Sequence, residues 1–202
     1  MIVVVDYGMG NLHSVSKALS ASGVQVCVTD DPEVVAQAER LVVPGVGAFA
    51  DAMKRLTERD LCEPIREHIH SGKPFLGICL GLQLLFEVGC EDGDHPGLGV
   101  FPGKVVRFEL DDATLKVPHM GWNRARIVSD TPCLSGLTDE DYVYFVHSYY
   151  VKPADEGIVA TWTDYGGEFV SSVARENLFA CQFHPEKSQS LGLRILKNFV
   201  NL

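Results

Sequence analysis

The sequence predicts an α/β protein with a doubly wound, mostly parallel sheet flanked by helices and an antiparallel extension in the second half. Two observations predict this fold class. Over residues 1–90, continuous apolar runs alternate with stretches in which apolar residues recur at helical spacing, as in successive β-α-β units. Beyond them, strand-like segments follow one another with only short turns between, as in antiparallel pairing.

The first half contains four predicted strands with helices between them. Residues 1–8 form a continuous apolar run, which suits a strand buried on both faces of a parallel sheet. A helical pattern follows over 11–23, and Gly23 is a residue type that commonly ends helices. The next elements are a strand over 24–30, a short helix over 32–39 that starts at Pro32, a strand over 40–47, helices over 48–56 and 61–72, and a strand over 73–81 that runs into a further helix.

The second half is predicted to form strands that return to the same sheet. They cover 99–110, 117–128, 141–153, 157–167 and 168–186, and an amphipathic helix over 190–202 closes the chain. No stretch has the composition of a linker, so we expect one domain over residues 1–202.

Composition and charge exclude several classes of function. The chain has 202 residues, a net charge of −10 and no basic stripe, so it is poorly suited to bind nucleic acid. Its apolar runs are far shorter than the roughly 20 residues that span a bilayer. The first residues resemble a strand and lack the features of a signal peptide. We therefore expect a cytoplasmic protein.

The chain has six cysteines, and no two of them have the spacing of a zinc site or of a redox pair. In a cytoplasmic chain we expect free thiols, most of them small residues of the core, and neither a metal nor a cofactor. The six are Cys27, Cys62, Cys79, Cys90, Cys133 and Cys181.

Cys79 is a candidate nucleophile. It lies between Gly77 and Gly81 where an apolar run turns into a helical pattern, and G-x-C-x-G has the spacing of the G-x-S-x-G nucleophile elbow. The glycines allow a strand to turn sharply into a helix, and a helix N-terminus favours a thiolate. The alternative is a buried core cysteine, which is the commonest fate of a free thiol.

A thiol nucleophile usually needs a base, and His184 is favoured among the seven histidines. Residues i and i+2 of an extended chain face the same side, so His184 and Glu186 can project together, and the carboxylate would fix the tautomer of the imidazole. Alternatively, both are exposed polar residues at the end of a strand. His147, within an apolar strand, is the rival base, whereas His68 and His70 are expected to be solvated.

Residues 44–49 (PGVGAF) form another predicted junction between a strand and a helix. Acyl transfer needs two backbone N–H groups that face the developing oxyanion. We expect one from Leu80, which follows the nucleophile, and the other from Val46 and Gly47, since glycine permits unusual peptide orientations. The alternative is an ordinary glycine-rich turn.

A dinucleotide site is a competing interpretation of GMGNLH (8–13), because Asp30 follows Gly10 at about the spacing of the fingerprint of such sites. However, His13 occupies the third glycine position, where its side chain would obstruct close packing of helix and strand. We therefore expect no nicotinamide or flavin site.

Six short motifs extend over nearly the whole chain, from Asp6 to Ser188. They are DYGMGNLHSV (6–15), PGVGAF (44–49), GICLGLQ (77–83), VPHMGWN (117–123), FVHSYY (145–150) and FHPEKS (183–188). The second, third and last resemble the class I glutamine amidotransferases, which have a Cys-His-Glu triad and a flavodoxin-like topology. The full set resembles the glutaminase subunits of imidazole glycerol phosphate synthase, of histidine biosynthesis, with no departure at a motif position.

This resemblance implies a reaction. Cys79 would attack the side-chain amide of glutamine, His184 would transfer the proton to the leaving ammonia, and Glu186 would orient His184. A glutamyl thioester would form, and water would release glutamate. The resemblance also places Gly47 and Leu80 around the amide oxygen, and the glutamine-binding residues would be Gln83, Ser148 and Tyr149. The alternative for Ser148 and Tyr149 is a plain buried strand.

The resemblance further implies a partner, a cyclase subunit with a (β/α)₈ barrel that receives the ammonia and makes imidazole glycerol phosphate and aminoimidazole carboxamide ribotide. We expect a switch in which the peptide at Gly47 turns toward the site on a signal from this partner. The implied interface residues, for which the alternative is ordinary core packing, are Asn11, Met120, Trp122, Tyr144 and Lys187. Rival functions are a glutaminase subunit of a different synthase and a stand-alone cysteine hydrolase of the same fold.

Overall fold

The computed structural model describes residues 1–202, in which two sheets carry fourteen strands. The first half contains β1 (Ile2–Val5), α1 (Leu12–Ser20), β2 (Val26–Thr29), α2 (Pro32–Ala36), β3 (Arg40–Gly45), α3 (Phe49–Glu58), α4 (Cys62–His70), β4 (Phe75–Cys79), α5 (Leu80–Gln83), β5 (Phe86–Gly89) and β6 (His95–Pro96). The second half contains β7 (Phe101–Arg107), β8 (His119–Arg124), β9 (Arg126–Ile127), β10 (Tyr142–His147), β11 (Tyr149–Pro153), β12 (Val159–Asp164), β13 (Glu168–Arg175), β14 (Leu178–Cys181) and α6 (Gln189–Val200).

The main sheet has twelve strands and begins with five parallel ones in the order β2-β1-β3-β4-β14. From β14 the sheet continues through antiparallel pairs with β13, β11 and β7, which confirms the predicted fold class and its antiparallel extension. Because β4 and β14 are parallel neighbours, with Cys181 opposite Ile78, their carboxyl ends meet at one edge of the sheet. Ligands of doubly wound folds bind at this edge.

Alternation along the strands places apolar side chains on both faces of the sheet. Val3, Val5 and Val43 pack against α2, α3 and α4 on one face. Val4 and Ile78 pack against α1 and α6 on the other face. The strands β1, β3, β4 and β14 are therefore buried on both sides, as continuous apolar runs predict, whereas the edge strand β2 is partly exposed.

The helix after Cys79 is much shorter than predicted. α5 ends at Gln83, and β5 begins at Phe86. The next two residues, Leu84 and Leu85, are completely buried, so a helix continued here would have no side exposed to solvent. Their carbonyl groups accept hydrogen bonds from the segment 98–101, which replaces the next helical turn by contacts between distant parts of the chain.

Three predicted strands are divided, one of them at Ala125 between β8 and β9, and one prediction about a side chain was wrong. The strand predicted over 141–153 breaks at Ser148, so β10 pairs with β8 in a separate two-stranded sheet while β11 pairs with β7. The segment 168–186 folds as the hairpin of β13 and β14. His68, expected to be solvated, is buried, and its Nε2 lies 3.0 Å from the carbonyl oxygen of Pro74.

None of the helices combines the length and the apolar composition that a membrane span requires.

Candidate active site

Cys79 lies at a sharp turn between β4 and α5. Its φ of 54° and ψ of −106° form a combination that residues other than glycine rarely adopt. Such strain costs about 1–3 kcal/mol and persists only where the surroundings impose it. Gly81 makes the turn possible, because a Cβ atom there would lie 1.8 Å from the carbonyl oxygen of Val43. The backbone therefore has the geometry of the elbow that the G-x-C-x-G spacing predicts.

The single turn of α5 changes one expectation about this cysteine. The positive charge of a helix N-terminus comes from many aligned peptide dipoles. α5 contains only the four residues Leu80–Gln83, so few peptide dipoles are aligned behind Cys79. A hydrogen-bond donor on a nearby side chain would therefore add to the stability of a negatively charged sulfur.

His184 and Glu186 follow β14 and lie behind Cys79. His184 Nδ1 is 2.8 Å from Glu186 Oε1, and the two side chains are 2% and 1% exposed. A carboxylate only accepts hydrogen bonds, so Nδ1 carries the proton, and Nε2, which has no hydrogen-bond partner, is left for chemistry. Burial lowers the pKa of His184, but Cys79 and Glu186 more than offset this, and the pKa is raised to about 9. The imidazole therefore favours its charged form.

His147, the rival base, is occupied by other contacts. Its Nδ1 donates to the carbonyl oxygen of Tyr149 at 2.8 Å, and its Nε2 lies 3.0 Å from Nδ1 of His119. Burial lowers the pKa of His147 to about 3, so it remains neutral. Both ring nitrogens of His147 are thus occupied in the wall of the pocket, whereas Nε2 of His184, the predicted base, is not.

Two glutamine side chains connect Cys79 to the strand on the other side of the pocket. Gln83 Nε2 donates to the carbonyl oxygen of Tyr149 and to Oε1 of Gln182, both at 3.0 Å. Gln182 Nε2 lies 3.5 Å from Cys79 Sγ. Sequence reasoning missed Gln182, although it precedes His184 by two residues and the same i, i+2 argument applies to it.

A pocket of about 430 Å³ opens in front of the sulfur. It brings together the predicted nucleophile, the predicted oxyanion residues and the predicted glutamine-binding residues. Its lining consists of Val46, Gly47, Cys79, Leu80, Gln83, Glu91, Pro118, Val146, His147, Ser148 and Tyr149. Glu91 was not predicted from the sequence. One of its carboxylate oxygens accepts from the backbone N–H of Phe49 at 2.8 Å, which holds the carboxylate at the wall of the pocket.

A buried tyrosine forms a hydrogen bond with the start of the predicted oxyanion segment. The hydroxyl of Tyr7 donates to the carbonyl oxygen of Pro44 at 2.8 Å. Gly47 has a φ of 104°, in the region that favours glycine. The chain is therefore fixed at Pro44 and has the conformational freedom of glycine three residues later, beside the pocket.

Four of the five predicted interface residues form one surface, the β8–β10 patch, defined as Met120, Trp122, Tyr144 and Lys187. Met120 and Trp122 are 62% and 45% exposed and lie on one face of β8. Tyr144 lies opposite Trp122 on β10, with ring centroids 5.9 Å apart, and the Nζ of Lys187 is 5.8 Å from the Tyr144 ring. The exposure of Met120 and Trp122 excludes core packing. Asn11 lies apart from these contacts and caps α1 through Ser14 N.

All six cysteines are free thiols. Burial raises the pKa of Cys133 to about 12 and that of Cys181 well above its usual value, so neither thiol is ionised near neutral pH. Cys181 is completely buried, as expected for a small residue of the core. No group of three or more histidine, cysteine, aspartate or glutamate side chains has the arrangement of a metal site.

Comparisons with known proteins agree with this geometry. Residues 3–202 match the family described as glutamine amidotransferase class-I. The chain is 58% identical to the imidazole glycerol phosphate synthase subunit HisH of Syntrophotalea carbinolica, with 98% of each chain covered. It is 57% identical to the same subunit of Aquifex aeolicus, over 98% of this chain and 94% of the relative.

A solved structure with the same fold is a crystal structure of glutamine amidotransferase, with a TM-score of 0.76 at 21% identity over 100% of this chain and 98% of the other. Together, the family match and the long alignments with HisH subunits show that the chain belongs to the class-I glutamine amidotransferase family.

Proposed function

We propose that this chain hydrolyses glutamine to glutamate and ammonia, and that a cyclase subunit uses the ammonia to make imidazole glycerol phosphate and aminoimidazole carboxamide ribotide in histidine biosynthesis. The observation that carries the proposal is Cys79 in the wall of the pocket together with the buried pair of His184 and Glu186, because Cys79 helps to raise the pKa of His184. The raised pKa of His184 favours an imidazolium, which can pair with a thiolate at Cys79. The family and the identity to HisH subunits support the choice of substrate and pathway.

The first half of the reaction uses the charged pair. The sulfur of Cys79 attacks the side-chain amide carbon of glutamine, and the electron pair of the C=O bond moves to oxygen. The N–H groups of Leu80 and of the Val46–Gly47 segment stabilise this oxyanion. When the C–N bond breaks, Nε2 of His184 gives its proton to the departing nitrogen, and ammonia leaves behind a neutral imidazole and a thioester.

The second half restores the enzyme. Neutral His184 takes a proton from water, and the hydroxide attacks the carbonyl carbon of the thioester. The tetrahedral intermediate collapses with cleavage of the C–S bond, which releases glutamate and returns the electron pair to the sulfur of Cys79. Glu186 accepts the hydrogen bond from Nδ1 of His184 and stabilises the imidazolium each time it forms.

The hydrogen-bonding groups that remain free in the pocket suggest which residues bind each polar group of glutamine. Both N–H groups of Gln83 are used by Tyr149 and Gln182, so only its Oε1 is left to bind substrate. An oxygen acceptor suits the α-ammonium group, and Glu91 adds a carboxylate to the same pocket. The carbonyl oxygens of Ser148 and Tyr149 already accept hydrogen bonds within the protein, so this segment is left to offer donors to the α-carboxylate.

The β8–β10 patch is the proposed surface for the cyclase subunit, together with Asn11. Exposed Met120 and Trp122 beside the charge of Lys187 match the composition of interface centres, where large apolar and aromatic groups are enriched. We also propose that residues 1–202 act as one amidotransferase domain and that the protein is cytoplasmic. Its six free thiols support a reducing compartment.

The test is an assay of glutamate release by the isolated chain and by the chain with the cyclase subunit and its nucleotide. The proposal expects low activity alone and strong stimulation in the complex. Full activity of the isolated chain would instead support a stand-alone cysteine hydrolase. Stimulation by the ammonia-using subunit of another synthase, and not by the cyclase, would support the other rival.

A further inference from the structure

Gln182 contacts the sulfur of Cys79 and has no part in the reaction described so far. It lies between the end of β14 and His184, and its side chain is completely buried. Its Nε2 is 3.5 Å from Cys79 Sγ, within the range of hydrogen bonds to sulfur. Buried amide groups are almost always hydrogen-bonded, so the identity of this partner is informative.

The orientation of the Gln182 amide follows from its neighbours. The carbonyl oxygen of Tyr149 can only accept, so the Gln83 atom that faces it at 3.0 Å must be the amide nitrogen. The same nitrogen faces Gln182 at 3.0 Å, so the Gln182 atom there must be the acceptor Oε1. The nitrogen of Gln182 then necessarily points at Cys79. Two hydrogen bonds thus exclude the flipped amide, which would place an oxygen against the sulfur.

We propose that Gln182 donates a hydrogen bond to the thiolate of Cys79 and holds the sulfur in place for the reaction. This inference rests on the proposed role of Cys79 as nucleophile. α5 is a single turn, and the completely buried amide of Gln182 adds a donor to the sulfur from the side away from solvent. The amide is neutral, so unlike His184 it donates at every pH in the working range.

The hydrogen bond acts at two stages. Before attack, it stabilises the sulfur anion. During attack the sulfur shares an electron pair with the amide carbon, its charge passes to the oxygen, and the bond to Gln182 weakens. When the thioester is cleaved, the electron pair of the C–S bond returns to sulfur, and Gln182 again stabilises the leaving thiolate.

The test is the pH dependence of the rate at which iodoacetamide alkylates Cys79, measured on the full chain by mass spectrometry of the Cys79 peptide. Only the thiolate reacts, so the midpoint of the profile reports its formation. Gln182→Met keeps the shape of the side chain without the donor. Gln182→Glu puts a charge beside the sulfur. Cys181→Ala is the matched control, a buried change at the adjacent position that removes no hydrogen bond to Cys79.

The proposal expects the midpoint to move up by about one pH unit in Gln182→Met, a tenfold loss of thiolate below the midpoint. It expects a larger upward shift in Gln182→Glu, because the carboxylate repels the thiolate, and no shift in Cys181→Ala. Thermal unfolding verifies that each variant is folded. An unchanged midpoint in either folded Gln182 variant overturns the proposal, even where glutaminase activity falls, because loss of packing alone does not move this titration.

Alkylation requires neither glutamine nor a partner, so this result is independent of the proposed function. If the wild-type complex released no glutamate, the proposed function would fail, and the shift in the alkylation profile would still decide whether Gln182 donates to the thiolate.

Discussion

The imidazole of His184 and the carboxylate of Glu186 are joined by a hydrogen bond of 2.8 Å in a region where both side chains are almost completely buried. Burial by itself disfavours a charged imidazole, yet the pKa of His184 is raised to about 9 because Cys79 and Glu186 both favour the cation. The pKa of His184 should therefore fall if either Cys79 or Glu186 is replaced.

Glu186→Gln should lower kcat of the complex by about 10²–10⁴-fold. The change removes a group that raises the pKa of His184, so the imidazolium is lost at a lower pH. The fall of activity on the alkaline side, expected near pH 9 in the wild type, should move to lower pH by roughly one unit. Rates of glutamate release between pH 6 and 10 measure both effects. If kcat falls as expected but the alkaline side of the pH profile does not move, Glu186 contributes only by packing in the site.

Gly81→Ala should destabilise the fold, because the new methyl group would lie 1.8 Å from the carbonyl oxygen of Val43 in β3. Backbone atoms cannot yield as a side chain can, so we expect a loss of about 3 kcal/mol in the free energy of unfolding. Gly99→Ala is the control, since a Cβ atom there meets no atom within 4 Å. It should lose only about 1 kcal/mol, through its positive φ. Equal losses in urea unfolding would refute the close-approach argument.

Gly47→Ala should affect the response to the partner more than the binding of glutamine. Gly47 has a φ of 104°, which alanine adopts only with strain of about 1–2 kcal/mol. That strain should reduce partner-stimulated turnover by roughly tenfold. The KM for glutamine should change little, because the side chains of Gln83 and Glu91 are untouched. Steady-state assays of the complex separate the two effects, and an equal loss in both would count against a switch at this peptide.

Trp122→Ala should weaken binding of the cyclase subunit by about 10–100-fold, as loss of a central aromatic group does at interfaces. Trp122 is 45% exposed and its ring packs edge-on against Tyr144, so the thermal stability of the isolated chain should change little. Val28→Ala removes another exposed apolar side chain, on the edge strand β2, and should leave affinity as it was. Calorimetric titration with the cyclase subunit compares them, and equal affinities for all three proteins would place the interface elsewhere.

Much of this architecture could be predicted because it depends on neighbours in the sequence. The alternation of apolar runs and helical patterns predicted the parallel half of the sheet. The spacing of Gly77, Cys79 and Gly81 predicted the elbow, since such turns need small residues at fixed positions. The i, i+2 relation predicted that His184 and Glu186 share a side, and the structure joins them directly.

The features that sequence reasoning missed depend on distant parts of the chain. The end of α5 at Gln83 is set by hydrogen bonds from the segment 98–101, which no local pattern reveals. The contact of Gln182 with Cys79 exists only because β14 lies beside β4. His68 differs, because its contact, the carbonyl oxygen of Pro74, lies only six residues away, just past the end of an amphipathic and charged helix.

The most direct test of the central claim is synthesis of imidazole glycerol phosphate by the complex that contains Cys79→Ala, supplied with either glutamine or ammonium salt. If Cys79 only generates ammonia, glutamine should support no synthesis, whereas ammonia should support synthesis at the rate of the wild-type complex. Synthesis from glutamine by this variant, or loss of ammonia-dependent synthesis as well, would contradict the account.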